Sequence, residues 1–333
     1  MAFSSFNKLS PVFFIIFVLI HFQFSPAFDS TQEAQALLKW KANLQNQSHY
    51  VLSSWSLYPV NATNNSNQQR TKISRYTNWF GVSCDHARSI HRLNLFIVGL
   101  KGKLDELSFS SFPHLACLDL AINELFGVIS TQICNLSKLK YLDLSTNQFF
   151  GKIPAEIGLL MHLETLHLAE NQLNGSIPKE IGQLSSLSEL ALYSSGLDGS
   201  VPASFGNLSK LAWLYLFNNS LSGSIPIEMG NLSNLVEFYI DTNSFSGPIP
   251  SSLGNLKILE VLYIFCNQLS GSIPQELGNL EFLTNISLRS NNFSGSIPAS
   301  LGGLRNLLYI DLFNNSLSGS IPPEIGNLKN LLI

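Results

Sequence analysis

The sequence has 333 residues, of which 12% are charged, and its formal net charge is −3. That charged share is about half of what typical globular proteins carry. A weakly acidic chain without a basic stripe excludes a protein that binds nucleic acid electrostatically. The length suits either two ordinary domains or one body of stacked repeats, so the internal pattern decides between them.

The first 27 residues have the pattern of a secretory signal peptide. Lys8 precedes an apolar run at residues 12–20, and small residues at 25–27 offer a cleavage site after Ala27. The run is shorter than the roughly 20 apolar residues of a spanning helix, which disfavours the alternative of an uncleaved anchor. We therefore predict entry into the secretory pathway.

Asn-x-Ser/Thr sequons support the same route, because they are glycosylated only in secreted or surface proteins. They lie at Asn46, Asn61, Asn64, Asn135, Asn174, Asn207, Asn218, Asn231, Asn285, Asn292 and Asn314. A single sequon is a weak signal in a chain rich in Asn and Ser. Together with the leader, the set predicts a glycoprotein.

A 24-residue unit recurs without a gap from Leu115 to Asn330, with apolar residues at positions 1, 4, 6, 11, 15, 19 and 22. The units begin at Leu115, Leu139, Leu163, Leu187, Leu211, Leu235, Leu259, Leu283 and Leu307, after a looser 25-residue unit that begins at Ile90. One unit cannot enclose its own apolar side chains, so neighbours must stack and share a core. Positions 3 to 7 alternate outward and inward, which predicts ten short strands in a parallel sheet with one open face.

Polar and special residues mark the rest of each unit. Gly at position 13 of every unit predicts a sharp turn, and Pro at position 16 predicts an extended, irregular far side without a long helix. Asn at position 9 is predicted to bond backbone groups of adjacent turns. Ser195 replaces this Asn in the unit that begins at Leu187, so we expect a weaker seam there, meaning a weaker contact between neighbouring units.

Cys117, Cys134 and Cys266 occupy unit positions that do not suit a disulfide bridge, which predicts that they are thiols.

The repeat reads LxxLxLxxNxLxGxIPxxLGNLxx, which resembles the plant-type extracellular leucine-rich repeat of receptor-like kinases and secreted inhibitor proteins. The Ile-Pro pair at positions 15 and 16 distinguishes the plant class. The resemblance implies a leucine-rich-repeat solenoid of the α/β repeat class, a right-handed superhelix with a concave parallel sheet. It further implies mostly strand and irregular or 3-10 segments, with a short helical N-terminal cap.

The resemblance extends to that cap. Residues Glu33–Leu44 resemble its amphipathic helix, and Trp79–Cys84 resemble its end. Thr77 stands where the family has the Cys that pairs with the counterpart of Cys84, so we expect Cys84 to be an exposed thiol or its loop to be less stable. The low-complexity residues 61–70 predict a mobile loop. The predicted domains are therefore a signal peptide at 1–27, a cap at 28–89, ten repeats at 90–330 and the start of an eleventh repeat at 331–333.

A solenoid offers its sheet as an extended binding surface, so the outward positions 3, 5 and 7 are the candidate ligand-binding positions. We select Tyr193, Trp213, Tyr215, Phe217, Tyr239, Asp241, Tyr263, Phe265, Arg289, Tyr309 and Phe313. Clustered exposed aromatic residues with a few charges are typical of a hot spot for a protein or peptide. The alternative is that aromatic residues simply suit strands. A glycan on Asn285 would cover one end of this surface.

No catalytic residue, metal site or cofactor is predicted. Asp119, Asp143 and Asp311 share position 5 and are interpreted as solvated carboxylates on an open sheet, without the enclosure that raises a pKa. His162 and His167 are five residues apart and do not form a helical zinc pair. The kinase signature motifs are absent from the sequence, so a kinase domain is expected only in a longer form.

The resemblance implies a plant leucine-rich-repeat receptor-like kinase ectodomain that recognises a peptide or protein ligand for cell-surface signalling in defence or development. A co-receptor with leucine-rich repeats is the expected partner, and nucleic acid is not. The alternative is a secreted inhibitor of a wall-degrading enzyme, similar to polygalacturonase-inhibiting proteins, which end in a cysteine-paired cap. Because residues 331–333 open a further unit without a polar cap, we expect a longer receptor that meets the membrane through a missing C-terminal part. The expected location is the cell surface or the apoplast.

Overall fold

The computed structural model describes residues 31–45, 50–56, 79–86 and 88–332. The predicted signal peptide, the loop at 61–70, Thr77 and the sequons at Asn46, Asn61 and Asn64 lie outside the described residues.

The cap begins with helix α1, Thr31–Asn43, which confirms the predicted helix with a start two residues earlier. Its apolar side chains recur at the spacing of one helical face, and that face is buried. Trp40 Nε1 donates to the Lys103 carbonyl at 2.8 Å, which ties the helix to the repeats. Cys84 is half-buried and packs against the core, so the first of the two expectations, an exposed thiol, is wrong. The lower stability of its loop stays a prediction.

Twenty-one short strands follow within the described residues. They are β1 (Val82–Cys84), β2 (Ile90–Asn94), β3 (Lys101–Lys103), β4 (Cys117–Asp119), β5 (Glu124–Val128), β6 (Tyr141–Asp143), β7 (Gln148–Gly151), β8 (Thr165–His167), β9 (Gln172–Ser176), β10 (Glu189–Ala191), β11 (Gly196–Gly199), β12 (Trp213–Tyr215), β13 (Ser220–Gly223), β14 (Glu237–Tyr239), β15 (Ser244–Gly247), β16 (Val261–Tyr263), β17 (Gln268–Ser272), β18 (Asn285–Ser287), β19 (Asn292–Gly295), β20 (Tyr309–Asp311) and β21 (Ser316–Leu317).

The strands form two sheets that run along the stack of units. The first sheet has eleven strands in the order β1, β2 and then the even-numbered strands to β20. Strand β1 comes from the cap and pairs antiparallel with β2, whereas the remaining neighbours are parallel, as predicted for the repeats. The second sheet has ten strands, β3 and the later odd-numbered strands to β21. Sequence reasoning missed this second sheet.

A short 3-10 segment completes each unit, and in the eight later units it follows the proline at position 16. These segments are Phe109–Ser111, Thr131–Asn135, Ala155–Leu159, Lys179–Gln183, Ala203–Asn207, Ile227–Asn231, Ser251–Asn255, Gln275–Asn279, Ala299–Gly303 and Pro323–Asn327. The proline keeps the preceding residue out of the helical region and its own φ is fixed, so a long helix cannot form there. The predicted far side of extended and 3-10 segments is confirmed.

One continuous apolar core runs the length of the stack, lined by the leucines and isoleucines of the repeat positions. It includes full-size aromatic side chains such as Phe149, Phe205 and Phe245, which are completely buried. None of the helices within the described ranges is long and apolar enough to cross a membrane.

Candidate functional site

We call the outward side chains at positions 3, 5 and 7 along the eleven-stranded sheet the open face. The strands pair in register from one unit to the next, so that Tyr215 lies opposite Tyr239 and Tyr239 opposite Tyr263. Side chains that are 24 residues apart therefore become neighbours in a row. Each unit position defines one row of the open face.

The row at position 5 carries a ladder of three of the selected tyrosines, Tyr215, Tyr239 and Tyr263. The ring centroids of Tyr215 and Tyr239 are 5.3 Å apart, and those of Tyr239 and Tyr263 are 4.9 Å apart. These distances are close to the roughly 4.8 Å between neighbouring strands of a sheet. The rings are tilted or edge-on to each other, which is the arrangement that aromatic quadrupoles favour.

The row at position 7 joins this ladder. Tyr193 and Phe217 stack face to face, with centroids 4.4 Å apart and planes 7° from parallel. Phe217 lies 6.3 Å from Tyr239, and Phe265 lies 5.9 Å from Tyr263. Six rings thus form one connected surface, the aromatic patch: Tyr193, Tyr215, Phe217, Tyr239, Tyr263 and Phe265.

The other predicted aromatic residues lie around this patch. Trp213 is 38% exposed at position 3, where the register places it between Glu189 and Glu237. Phe313 is 69% exposed, and the Arg289 guanidinium carbon lies 5.6 Å from the centre of its ring. That distance fits a cation–π contact.

Tyr309 lies in the row of Trp213, two units beyond the aromatic patch. Its hydroxyl donates to Asp311 at 3.1 Å, and the ring is half-buried. The hydrogen bond to Asp311 holds the Tyr309 side chain in place. Tyr309 therefore belongs to the end of the open face and is separate from the aromatic patch.

Asp241 differs from its sequence-based interpretation as a surface charge. It is only 6% exposed, at position 7 of the unit that begins at Leu235. The Thr242 hydroxyl donates to its Oδ2 at 3.2 Å. Burial raises the pKa of this carboxyl to about 6, and the hydrogen bonds from Thr242 and the backbone oppose the rise.

Glu237 belongs to the open face, although sequence reasoning did not select it. The Tyr215 hydroxyl donates to Glu237 Oε2 at 2.8 Å. Burial, followed by the charge of Glu237, raises the pKa of Tyr215, so its hydroxyl remains a donor at physiological pH. An acidic residue at position 3 beside an aromatic row was the signal that could have identified it.

The carboxylates nearer the N-terminus are not solvated as expected. Asp119, Asp143 and His167 are all buried on neighbouring strands. His167 Nδ1 lies 3.2 Å from Asp143 Oδ2, and its Nε2 lies 3.0 Å from Glu189 Oε1. The prediction of solvated carboxylates is wrong for Asp119 and Asp143, because side chains from adjacent units cover these groups.

The pKa values in this cluster reflect that enclosure. Burial, followed by the charge of Asp143, raises the pKa of Asp119 to about 6. Burial alone would lower the pKa of His167, but its bonds to Asp143 and Glu189 outweigh burial and raise it to about 9. The charged histidine in turn lowers the pKa of Asp143 against the effect of burial. His167 therefore offsets part of the negative charge of Asp143 and Glu189 within the fold.

Eight of the eleven sequons fall among the described residues. Seven of their asparagines are exposed: Asn135, Asn174, Asn207, Asn218, Asn231, Asn292 and Asn314. Asn285 is half-buried on the open face, and its Nδ2 donates to the Tyr263 hydroxyl at 3.4 Å. Glycosylation of these residues stays a prediction.

Three family models match the chain. The model described as "Leucine-rich repeat region" matches residues 86–272, which is more than half of the chain. "Leucine rich repeat N-terminal domain" matches residues 30–66 and 78–85, and "Leucine Rich Repeat" matches 282–304 and 306–328. All three describe repeats or their N-terminal domain, and none describes a kinase.

A curated relative and two solved structures show the same kind of similarity. MDIS1-interacting receptor like kinase 2 of Arabidopsis thaliana is 48% identical over 112 residues, which are 33% of this chain and 10% of that protein. The ectodomain of the Arabidopsis thaliana receptor kinase GASSHO1/SCHENGEN3, in complex with CASPARIAN STRIP INTEGRITY FACTOR 2, aligns with a TM-score of 0.80 and 37% identity. That alignment covers 90% of this chain and 34% of the ectodomain.

The second solved structure is the Arabidopsis receptor kinase HAESA in complex with the peptide hormone IDA and the co-receptor SERK1. It aligns with a TM-score of 0.71 and 31% identity, covering 91% of this chain and 52% of that chain. The present chain spans about a tenth of the length of the curated relatives it matches. It spans between a third and about half of these two ectodomain structures.

Proposed function

Because the chain belongs to the leucine-rich-repeat family, we propose that its open face binds a peptide or protein ligand outside a plant cell. The observation that carries this proposal is the aromatic patch, in which six rings touch in series on one side of a registered parallel sheet. Rings that hold one another in place lose little conformational freedom when a ligand arrives. Large apolar rings with polar edges are also the commonest anchors of protein interfaces.

The proposed ligand-binding residues surround and include this patch. They are Tyr193, Trp213, Tyr215, Phe217, Tyr239, Asp241, Tyr263, Phe265, Arg289, Tyr309 and Phe313. The aromatic members supply contact area, whereas Asp241 and Arg289 supply opposite charges two units apart. An extended peptide that crosses the strands would meet both.

We place this binding in a receptor-like kinase ectodomain for cell-surface signalling. The similarity to receptor kinases supports this class over a secreted inhibitor of a wall-degrading enzyme. The HAESA complex, which holds both a peptide hormone and a co-receptor, supports a partner with leucine-rich repeats as well as a ligand. The proposal includes the leader at 1–27, the cap at 28–89, the repeats at 90–330, and glycans at the predicted sequons.

The test removes the tyrosine ladder. We expect a chain with Tyr215→Ala, Tyr239→Ala and Tyr263→Ala to lose retention of peptides and proteins from the apoplast by about tenfold or more, because each ring is an anchor. Retention would be measured by mass spectrometry on the immobilised, glycosylated chain. Melting temperature would be measured in parallel to verify folding.

A matched control truncates an aromatic residue elsewhere. Phe150 is 48% exposed on strand β7 of the second sheet, away from the open face. Phe150→Ala is expected to leave retention unchanged. The proposed function would be wrong if the triple variant retained the same molecules as the unaltered chain.

A further inference from the structure

The row at position 7 holds one short acidic side chain between two large rings. Phe217, Asp241 and Phe265 occupy the same position in three consecutive units. Backbone bonds fix these turns side by side, from Asn218 N to the Asp241 carbonyl at 3.1 Å and from Thr242 N to the Phe265 carbonyl at 2.9 Å. The two Phe backbones are therefore roughly 10 Å apart, at about 4.8 Å per strand. We call the place of the short Asp241 side chain between the larger Phe217 and Phe265 the notch, with Asp241 as its floor and the two Phe positions as its walls.

The carboxylate on the floor has no cation within the fold. Among the residues that the structure describes, no ion pair involves Asp241. Arg289 lies two units further along the row, and its guanidinium is over Phe313, on the far side from Asp241. Taking a charge out of water without a partner is costly, so buried carboxylates are normally paired.

The acidic cluster nearer the N-terminus shows how buried carboxylates are paired with a cation in the same sheet. There the carboxylates of Asp143 and Glu189 flank His167, which supplies the positive charge. Asp241 accepts hydrogen bonds from the Thr242 hydroxyl and from the backbone, and neither of these donors is charged. One carboxylate and one hydroxyl offer too few oxygens for Ca²⁺ or Mg²⁺. A metal ion therefore fits this position poorly, whereas the single positive charge of an organic cation would pair with the carboxylate.

We propose that the notch accepts a Lys or Arg side chain of the ligand, with its charged head on Asp241 and its aliphatic stem between Phe217 and Phe265. The apolar stem of such a side chain suits aromatic walls, and the head group gains both an ion pair and cation–π contacts. This inference rests on the proposed function. It names the ligand chemistry as a peptide segment in which one basic residue is flanked by apolar residues that contact the aromatic patch.

The experiment begins with a displayed library of random 12-residue peptides selected on the full glycosylated chain. We expect Lys or Arg to be enriched at one fixed position among the selected peptides. A selected peptide and its copy with norleucine at that position are then titrated against the unaltered chain and Asp241→Asn. The basic peptide should bind Asp241→Asn at least about 30-fold more weakly. The norleucine peptide should bind both chains about equally.

A matched control removes a carboxylate of the same kind elsewhere. Asp198 is exposed on strand β11 of the second sheet, away from the open face. Asp198→Asn changes the net charge by the same amount as Asp241→Asn and should leave the affinity unchanged. Loss of affinity in both variants would indicate long-range attraction and overturn the assignment to the notch.

The melting temperature of Asp241→Asn shows whether weaker binding results from the missing carboxylate or from misfolding of the variant. The pKa of Asp241 is raised from 3.8 to about 6 by burial, so its stabilising contribution is complete below pH 3.8 and is lost as the pH rises through 6. Asn cannot ionise, so the variant should melt at a higher temperature than the unaltered chain at pH 7. The two melting temperatures should converge at pH 4. Weaker binding by a more stable variant cannot result from misfolding.

The outcomes distinguish this inference from the proposed function. The inference alone is overturned if the selected peptides need the Tyr215, Tyr239 and Tyr263 ladder but are not enriched in Lys or Arg. It is also overturned if they bind Asp241→Asn as tightly as the unaltered chain. If no peptide is selected, or if the selected peptides ignore the ladder as well, the proposed function and the inference both fail.

Discussion

At the scale of single residues, the asparagines at position 9 connect each unit to the next. Asn147 Nδ2 donates to the carbonyls of Leu120, Leu144 and Ser145 at 3.0–3.1 Å, and its Oδ1 accepts from Leu125 N at 3.0 Å. These bonds confirm the predicted role of the column. They also satisfy carbonyls at the point where the preceding residue takes a left-handed φ of 51–56° in every unit.

Ser195 interrupts this column, and its hydroxyl is buried without a hydrogen-bond partner. In the regular units the amide at position 11 donates to the Asn of the following unit, as Leu221 N does to Asn243 at 2.9 Å. Leu173 holds the equivalent position facing Ser195. A serine is too short to reach the groups that an asparagine bridges, so the expected weaker seam has a structural basis.

We predict that Ser195→Asn stabilises this seam by on the order of 1–2 kcal/mol, because it supplies bonds to buried backbone groups. Hydrogen exchange should show slower exchange of the Leu173 amide and its neighbours in the variant. Ser195→Ala is the control, and it should be neutral or slightly stabilising, because it removes a buried hydroxyl that has no partner but supplies no new bonds to the backbone. It should not slow the exchange of the Leu173 amide as Ser195→Asn does. Unchanged or faster exchange in Ser195→Asn would contradict the prediction. Before any substitution, the unit from Leu187 should already exchange faster than the unit from Leu235.

At the scale of elements, the far side of each unit is more regular than its composition suggests. Strands of the second sheet, such as Ser244–Gly247, consist largely of Ser and Gly, which have weak strand propensity. Their pairing arises because the first sheet already sets the neighbouring units in register. A pattern that depends on stacking is not visible within a single 24-residue unit, which is why the second sheet escaped prediction.

The 3-10 segments approach each other closely through the Gly at position 20. A Cβ placed on Gly278 would lie 2.6 Å from both the Cβ and the carbonyl oxygen of Ser300 in the next unit. Gly303 belongs to the neighbouring 3-10 segment, but a Cβ there would meet nothing within 4 Å. The two glycines therefore differ in crowding, although neither has a left-handed φ.

We predict that Gly278→Ala destabilises the chain by about 1–3 kcal/mol, since backbone atoms of two units would have to separate. Gly303→Ala should be neutral, or stabilising by up to about 1 kcal/mol through a less flexible unfolded chain. Urea unfolding of both variants would measure the difference in the free energy of unfolding. Equal stability of the two variants would show that the spacing between units is looser than the structure indicates.

At the scale of the whole molecule, the fold was predictable because each unit must be closed by its neighbours, which makes the period sufficient evidence for stacking. The aromatic patch was predictable for the same reason, because equal positions in successive units become adjacent. The burial of Asp119, Asp143 and His167 was not predictable in this way. It depends on which side chains occupy the neighbouring positions in the preceding and the following unit. The notch at Asp241 likewise exists only because its two neighbours are Phe.

The cap covers one end of the core. Trp40 is fully buried, and its ring lies 6.5 Å from that of Trp55. Trp55 stacks on Trp79 at 5.6 Å and donates from Nε1 to the Phe80 carbonyl at 2.9 Å. These three rings pack against the same apolar cluster as the first repeat. In a solenoid each unit contacts only its neighbours, so the effect of loosening the cap should decay along the stack.

We therefore predict that Trp40→Ala destabilises the N-terminal end by about 3–5 kcal/mol, the usual cost of removing a large buried side chain. Hydrogen exchange should accelerate in strands β2 and β4, which lie next to the cap, and change little in β18 and β20 at the other end. Trp213→Ala removes the same side chain from a site that is 38% exposed on the open face, so it should leave exchange at both ends unchanged. If Trp40→Ala instead accelerated exchange equally in all strands, the repeats would unfold as one cooperative unit. Nearest-neighbour contacts would then not describe the stability of the stack.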